Sequence, residues 1–332
     1  MPPHAHIQLI DSLLGEEFYA DSIPEAQRDV ERAGLVAVPM YLLAKEFPHK
    51  EFYTANTADF SGIDTKGRYT KKGGSVVITV HGGLDGWAFP PARLEQALQK
   101  WKDSGKKLGT GVNQVYATIL EQQDIDNMLQ GIMLDGKESP VKAYEDFEGV
   151  SKDMKRQAIV RPLELAQQTE SGYDEIIRLC DKSGNVTDSQ MIIYAGSKEA
   201  AQEIINSVQG QPYNRRKLGV WHPFNQDTFN PEQAQGRVSV LVSGNINGFS
   251  GSGNVYDYAC VVGVAPEALV GKNFLASEES VRESRIPELR SSSIEEIVHP
   301  SFEEVLHITT PYIAEINKTD FERKLRESYN KK

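Results

Sequence analysis

The sequence predicts an α+β fold, a mixed or antiparallel sheet with flanking helices, and a mixed α/β arrangement is its near alternative. Three observations carry this. Short β-branched and apolar runs end at glycines, as in "SVVITVHGG" at 75–83 and "YDYACVVGVA" at 256–265. Amphipathic stretches with helix start and stop signals lie between them. The two kinds of segment do not alternate as regular βαβ units, which argues against a doubly wound sheet.

The elements follow in chain order. "DSIPEAQRDVERAG" sets Ser22 and Glu25 at capping-box spacing, with Pro24 in the first turn and Gly34 as a stop, and reads as a helix. "LVAVPMYLLAKEF" is apolar enough for burial but is interrupted at Pro39. "GRYTKKGGSVVITV" reads as a hairpin that turns at Lys72, Gly73 and Gly74, with 75–80 as its inner strand. In "PARLEQALQKWKDSG", Leu94, Leu98 and Trp101 share a helical face ahead of Gly105. "DIDNMLQG", "SPVKAYEDFEGV" and "SGYDEIIRLCDKSG" each carry the marks of a helix.

"SQMIIYAGSKEAAQEIINSVQ" reads as a strand through Met191–Tyr194, a tight turn, and a helix capped by Ser197. "RVSVLVSG" and "YDYACVVGVA" are strands joined by the glycine- and asparagine-rich "GNINGFSGSGN" at 244–254, which reads as a loop. From "SSSIEEIVHPSFEEVLHI" to "TDFERKLRESY" the pattern is helical and charged. A soft boundary at "EGVSKDMKRQ" separates an N-terminal α/β part, 1–150, from a C-terminal α+β part, 151–332, unless the two form one integrated domain.

Composition narrows the function classes. With 39% hydrophobic and 25% charged residues the chain is neither a disordered polyelectrolyte nor a membrane protein. No apolar run is long enough to span a bilayer, and "MPPHAHIQLIDSLLGEE" lacks the basic start of a secretory signal. Cys180 and Cys260 are isolated, so neither a disulfide framework nor a thiolate metal cage is expected. The expectation is a reduced, cytoplasmic protein. A net charge of -11 argues against nucleic-acid and anionic-membrane partners, which leaves a small-molecule ligand and a homo-oligomer as candidate partners.

Several stretches concentrate reactive side chains. "HGG" after a strand resembles the oxyanion-hole loop of esterases, in which backbone N–H groups such as those of Gly82 and Gly83 face a developing oxyanion. That chemistry also needs a G-x-S-x-G nucleophile elbow, and no serine or cysteine here has one. "GVWHPFN" at 219–225 places His222 in a rigid aromatic segment, either as an acid/base or within a loop plug anchored by Trp221 and Phe224.

His299, Glu303 and His307 are spaced four apart, but Pro300 suits the first helical position, so no metal is expected there. "GIMLDGKES" fails as a P-loop at Glu138 and reads as a turn at Asp135 and Gly136. "GTGVNQ" and "GFSGSGN" lack a dinucleotide fingerprint, and "HAH" at 4–6 has no second histidine pair beside it. No cofactor is expected. Ser197 and Lys198 suit an anion at a helix start, and Asn245, Asn247, Gly251 and Gly253 suit backbone contact with a ligand.

The leading expectation is an enzyme of hydrolase or transferase type acting on a small polar or phosphorylated ligand. His81 or His222 would be the acid/base, where 81–87, 221–225 and 244–254 converge. His81 is expected at the mouth of a pocket. The alternative is a non-catalytic binding or assembly protein that uses its glycine-rich loops and aromatic segments as an interaction surface.

Overall fold

The computed structural model describes residues 6–9, 13–44, 53–105, 118–168, 179–209, 218–222, 224, 230–242, 247–253 and 259–270. All lie within Met1–Ala276, the larger of two compact units of the chain. Asn245, the 171–178 stretch, "GTGVNQ" and the whole segment from "SSSIEEI" through His299, Glu303 and His307 to the last helical pattern lie outside the described residues.

The fold is α+β, built among the described residues on a mixed sheet of 12 strands. Its longest strand, β4 (Tyr53–Ile63), is the hub. One edge of β4 pairs antiparallel with β10 (Gln235–Val242). Its other edge pairs antiparallel with β5 (Ser75–His81) from Thr57 onward, and parallel with β12 (Ala259–Val264) at Thr54. Outward from β5 come β8 (Gln157–Pro162) and β7 (Val141–Ala143), and outward from β12 come β2 (Leu13–Ala20) and β1 (His6–Leu9). Strands from both sides of residue 150 therefore share one sheet.

Period-two alternation gives the central strands two unlike faces. Ala58, Phe60, Val76, Ile78, Val80, Ala158, Val160 and Val238 point to one side and form an apolar core. That core packs under α1 (Ile23–Arg32), α3 (Pro91–Asp103) and α4 (Gln122–Met128). Asp59, Ser61, Thr79, His81, Arg161 and Arg237 alternate with them on the other face, and they too are buried. Helix α6 (Ser189–Ala195) supplies Ser189, Gln190 and Tyr194 to that polar layer. A second apolar cluster joins α2 (Met40–Leu43), α6 and α7 (Lys198–Gln209) to strands β9 (Leu218–Trp221) through β12.

Three sequence expectations are corrected here. Met191–Tyr194 is helix, not strand: Asp188 caps it by accepting the Met191 N–H at 2.7 Å, and Gly196 ends it with φ +89°. Every residue of α6 is buried, so its four apolar residues in a row have no period that could mark them as helical. Its partner α7 does begin behind Ser197, whose Oγ accepts the Ala200 N–H at 3.1 Å. "SPVKAYEDFEGV" forms the short strand β7 and one 3-10 turn, Tyr144–Asp146, because β8 offers an edge for parallel pairing at 158–160.

The glycine-rich stretch thought to be a loop is strand β11 (Asn247–Gly253), which takes in Gly251 and Gly253. It is held antiparallel by β10 and parallel by β9, and the approach is close: a Cβ on Gly248 would lie 2.7 Å from the Gly219 carbonyl oxygen.

The strand at 75–81 forms as expected, but its partner is β4, and the intervening loop is organised by Asp64. This buried carboxylate accepts the Tyr69 and Thr70 N–H groups at 2.7 and 3.1 Å. Pro39 separates β3 (Val36–Ala37) from α2, as the sequence indicates. Among the described residues, no helix is long and apolar enough to cross a membrane.

Candidate functional site

His81 is completely buried, which corrects its expected place at a pocket mouth. Its Nε2–H donates to the Ile193 carbonyl at 3.0 Å, near the end of α6, where the same oxygen also accepts the Gly196 N–H at 3.0 Å. Its Nδ1 accepts from Thr57 Oγ1 at 3.0 Å, and that oxygen accepts the Met40 N–H at the start of α2 at 2.9 Å. The Tyr41 ring meets the imidazole edge-on at 5.2 Å. One neutral histidine thus ties two helices to two strands. Burial lowers its pKa to about 4, and the bond to Ile193 offsets this only in part. An imidazole so placed is a structural bolt.

The glycines beside it are not an oxyanion hole either. The Gly82 N–H donates to the Asn56 carbonyl at 2.8 Å and the Gly83 N–H to the Gly86 carbonyl at 3.0 Å. Both positions are closed to a side chain: a Cβ on Gly82 would meet the Asn56 amide at 2.2 Å, and one on Gly83 would lie 2.3 Å from the Met154 carbonyl oxygen and 2.5 Å from the Arg156 nitrogen. Gly83→Ala is therefore expected to cost about 1–3 kcal/mol by overpacking against backbone, measured as a lowered urea midpoint at unchanged slope.

His222 is buried as well, with Nε2 2.9 Å from Asp188 Oδ2. The same carboxylate caps α6 through its other oxygen, so His222 braces the 218–222 segment against the helix start. Phe224 is buried with Val77, Leu163 and Ala166. Its carbonyl accepts from Gln167 at 2.8 Å.

Between these histidines lies the polar layer, which sequence reasoning missed. Asp59 accepts from Thr79 Oγ1 at 2.5 Å, from Gln190 Nε2 at 3.1 and 3.2 Å, from Ser239 Oγ at 3.4 Å, and from the Tyr194 hydroxyl. Arg161 donates to Ser189 Oγ at 3.0 Å and to Gln190 Oε1. Desolvation lowers the Arg161 pKa and brings that of Arg237 down to about 10, while Asp59 opposes both shifts. The available signal was the alternation itself, D-x-S in β4 and R-x-S in β10, which in isolation looks like a solvated face.

A concave site does exist at the α6–α7 junction. A cleft of about 470 Å³ is floored by Tyr41, Leu42, Met154 and Ala195 and rimmed by Lys142, Glu148, Lys152 and Glu199. Ser197 lines it; Lys198 is exposed but is not among the lining residues. The walls are fixed by the Val150 N–H, which donates to the Gly196 carbonyl at 2.8 Å, and by the Tyr41 hydroxyl, which reaches Met154 Sδ at 3.5 Å. Burial raises the Tyr41 pKa, so the phenol stays protonated.

Met154 has φ +56°, the one non-glycine residue with positive φ among the described residues. Of the other expected site positions, Gly82, Gly83, His81 and His222 do not line this cleft. Among the described residues, no three His, Cys, Asp or Glu side chains gather as a metal site.

No family model matches the sequence, and no curated protein sequence matches it. A solved structure described as "Accommodation of massive sequence variation in Nanoarchaeota by the C-type lectin fold" is similar, with a TM-score of 0.51 and 18% identity. The match covers 77% of this chain and 99% of that one. The likeness is one of fold.

Proposed function

We propose that this chain is a non-catalytic binding protein that holds its ligand in the cleft at the α6–α7 junction. The observation that carries the reading is Met154. A methionine held in the left-handed region costs of order 1 kcal/mol, and such strain gathers where structure serves a ligand. Here it lies in the floor of a concave, largely apolar site of the size that small ligands and short peptide segments occupy. The rim offers two lysines and two glutamates, all exposed, so the fitting ligand has an apolar body and charges of both signs, as a peptide segment does.

The enzyme reading loses its acid/base candidates, since the ring nitrogens of His81 and Nε2 of His222 are engaged inside the fold. The fold neighbour is described as accommodating massive sequence variation. A scaffold braced internally, as this one is by His81 and Asp59, leaves its surface segments free for recognition.

The amphiphilic anion 8-anilinonaphthalene-1-sulfonate tests the cleft. It is expected to bind the native protein saturably at one site, and Ser151→Trp, on the exposed wall, should weaken it about tenfold or more without lowering the melting temperature. Equal binding by both proteins, or no saturable binding, would remove the cleft as the site.

A further inference from the structure

The polar layer under α6 contains donors that no described residue satisfies. Strand register places two rows on the buried face: Ile159, Thr79, Asp59 and Arg237 across β8, β5, β4 and β10, and beside it Arg161, Val77, Ser61 and Gln235. Arg237 stands directly opposite Asp59 yet makes no ion pair with it. Its guanidinium lies instead over the Phe224 ring, 5.5 Å from the centroid. Arg237 Nε and Nη1, Ser61 Oγ and Arg161 Nε are all buried, and no hydrogen-bond partner lies within reach of any of them among the described residues. Arg161, Ser61 and Arg237 are 0%, 1% and 1% exposed.

Phe224 packs on Val77, which separates Arg161 from Ser61 in its row, so these donors surround one patch of the layer. The Asp59 carboxylate is already surrounded by Thr79, Gln190, Tyr194 and Ser239. A guanidinium with two unmet N–H groups beside an unmet hydroxyl is a donor set without an acceptor, and the chemistry that fits it is an anion. Arg161, across Val77, adds positive potential from the far side.

We propose that this layer binds a small anion, either a halide or the carboxylate of a small organic acid, on Arg237 Nε and Nη1 with Ser61 Oγ beside it. The site is separate from the α6–α7 cleft and does not depend on it. Binding to the folded state alone makes the anion a stabiliser whose effect grows with its concentration.

The test compares melting temperatures of the full chain in sodium fluoride, sodium bromide and sodium acetate at matched ionic strength, with anomalous diffraction from crystals of the protein grown in bromide. Bromide above fluoride, with an anomalous peak beside Arg237, identifies a halide site. Acetate above fluoride without that peak identifies a carboxylate site. Ser61→Ala should weaken the half-saturating concentration about tenfold, and Arg237→Met should flatten the response. Should Arg237→Met fail to fold, the native salt series and Ser61→Ala still decide. No salt specificity and no peak, or a native-like response in Ser61→Ala, would overturn the site and leave the donors to ordered water.

Discussion

Replacing Asp59 by alanine is expected to cost about 3–5 kcal/mol of folding stability, the largest single-residue loss in the described fold. The side chain is fully buried and accepts hydrogen bonds from β5, β10 and two residues of α6. Its charge also opposes the desolvation of Arg161 and Arg237. Truncation leaves both guanidinium groups in a low-dielectric layer with less compensation and strands four donors, and stranded buried donors cost more than a made bond contributes. Asp59→Asn keeps the volume and one acceptor oxygen, so its loss should be smaller. Urea unfolding at neutral pH measures both, and a loss below about 1 kcal/mol for Asp59→Ala would mean that water replaces the carboxylate at little cost.

Acid should destabilise the protein through His81. Burial lowers its folded pKa to about 4 from the ordinary 6.5, so the unfolded chain binds the proton more readily than the folded one. The contribution is fully present above pH 6.5 and is lost as pH falls toward 4. Between pH 7.5 and 5 the loss from this residue is about 2 kcal/mol, rising to about 3 kcal/mol below pH 4. His81→Gln keeps a polar side chain but no titrating proton. It should start less stable at pH 7.5 and change less with pH over the same interval. Equal slopes for the two proteins in unfolding free energy against pH would assign the acid sensitivity elsewhere.

Much of the local structure was legible before the fold was known. Helix α1 starts after Ser22 and stops before Gly34, α3 runs from Pro91 toward Gly105, and the break at Pro39 falls where a proline must put it. These are short-range effects of caps, φ restriction and missing side chains, which act whatever the rest of the chain does. The misassigned elements lacked such markers. Helix α6 is apolar through Met191–Tyr194 because sheet and helices surround it, and a segment buried on every side has no polar face to reveal its period. Strand β11 has a glycine at 248 because Gly219 presses against it, a constraint imposed by a segment almost thirty residues earlier.

The candidate site divides in the same way. The sequence alone determined that Ser197 would cap a helix, that His81 would end a strand, and that β4, β5, β8 and β10 would carry polar and apolar residues by turns, since each is a property of a few neighbouring residues. Only the tertiary structure decided what covers each face. A sheet with one polar side normally turns it to water, and here α6 lies across it, so a solvated face by composition becomes an internal hydrogen-bonded layer by packing. That single placement took His81 out of chemistry, engaged His222 with Asp188, and set the cleft where α6 ends. The reason is physical: alternation within a strand is local, whereas burial depends on which other element arrives, and that is settled by the whole chain at once.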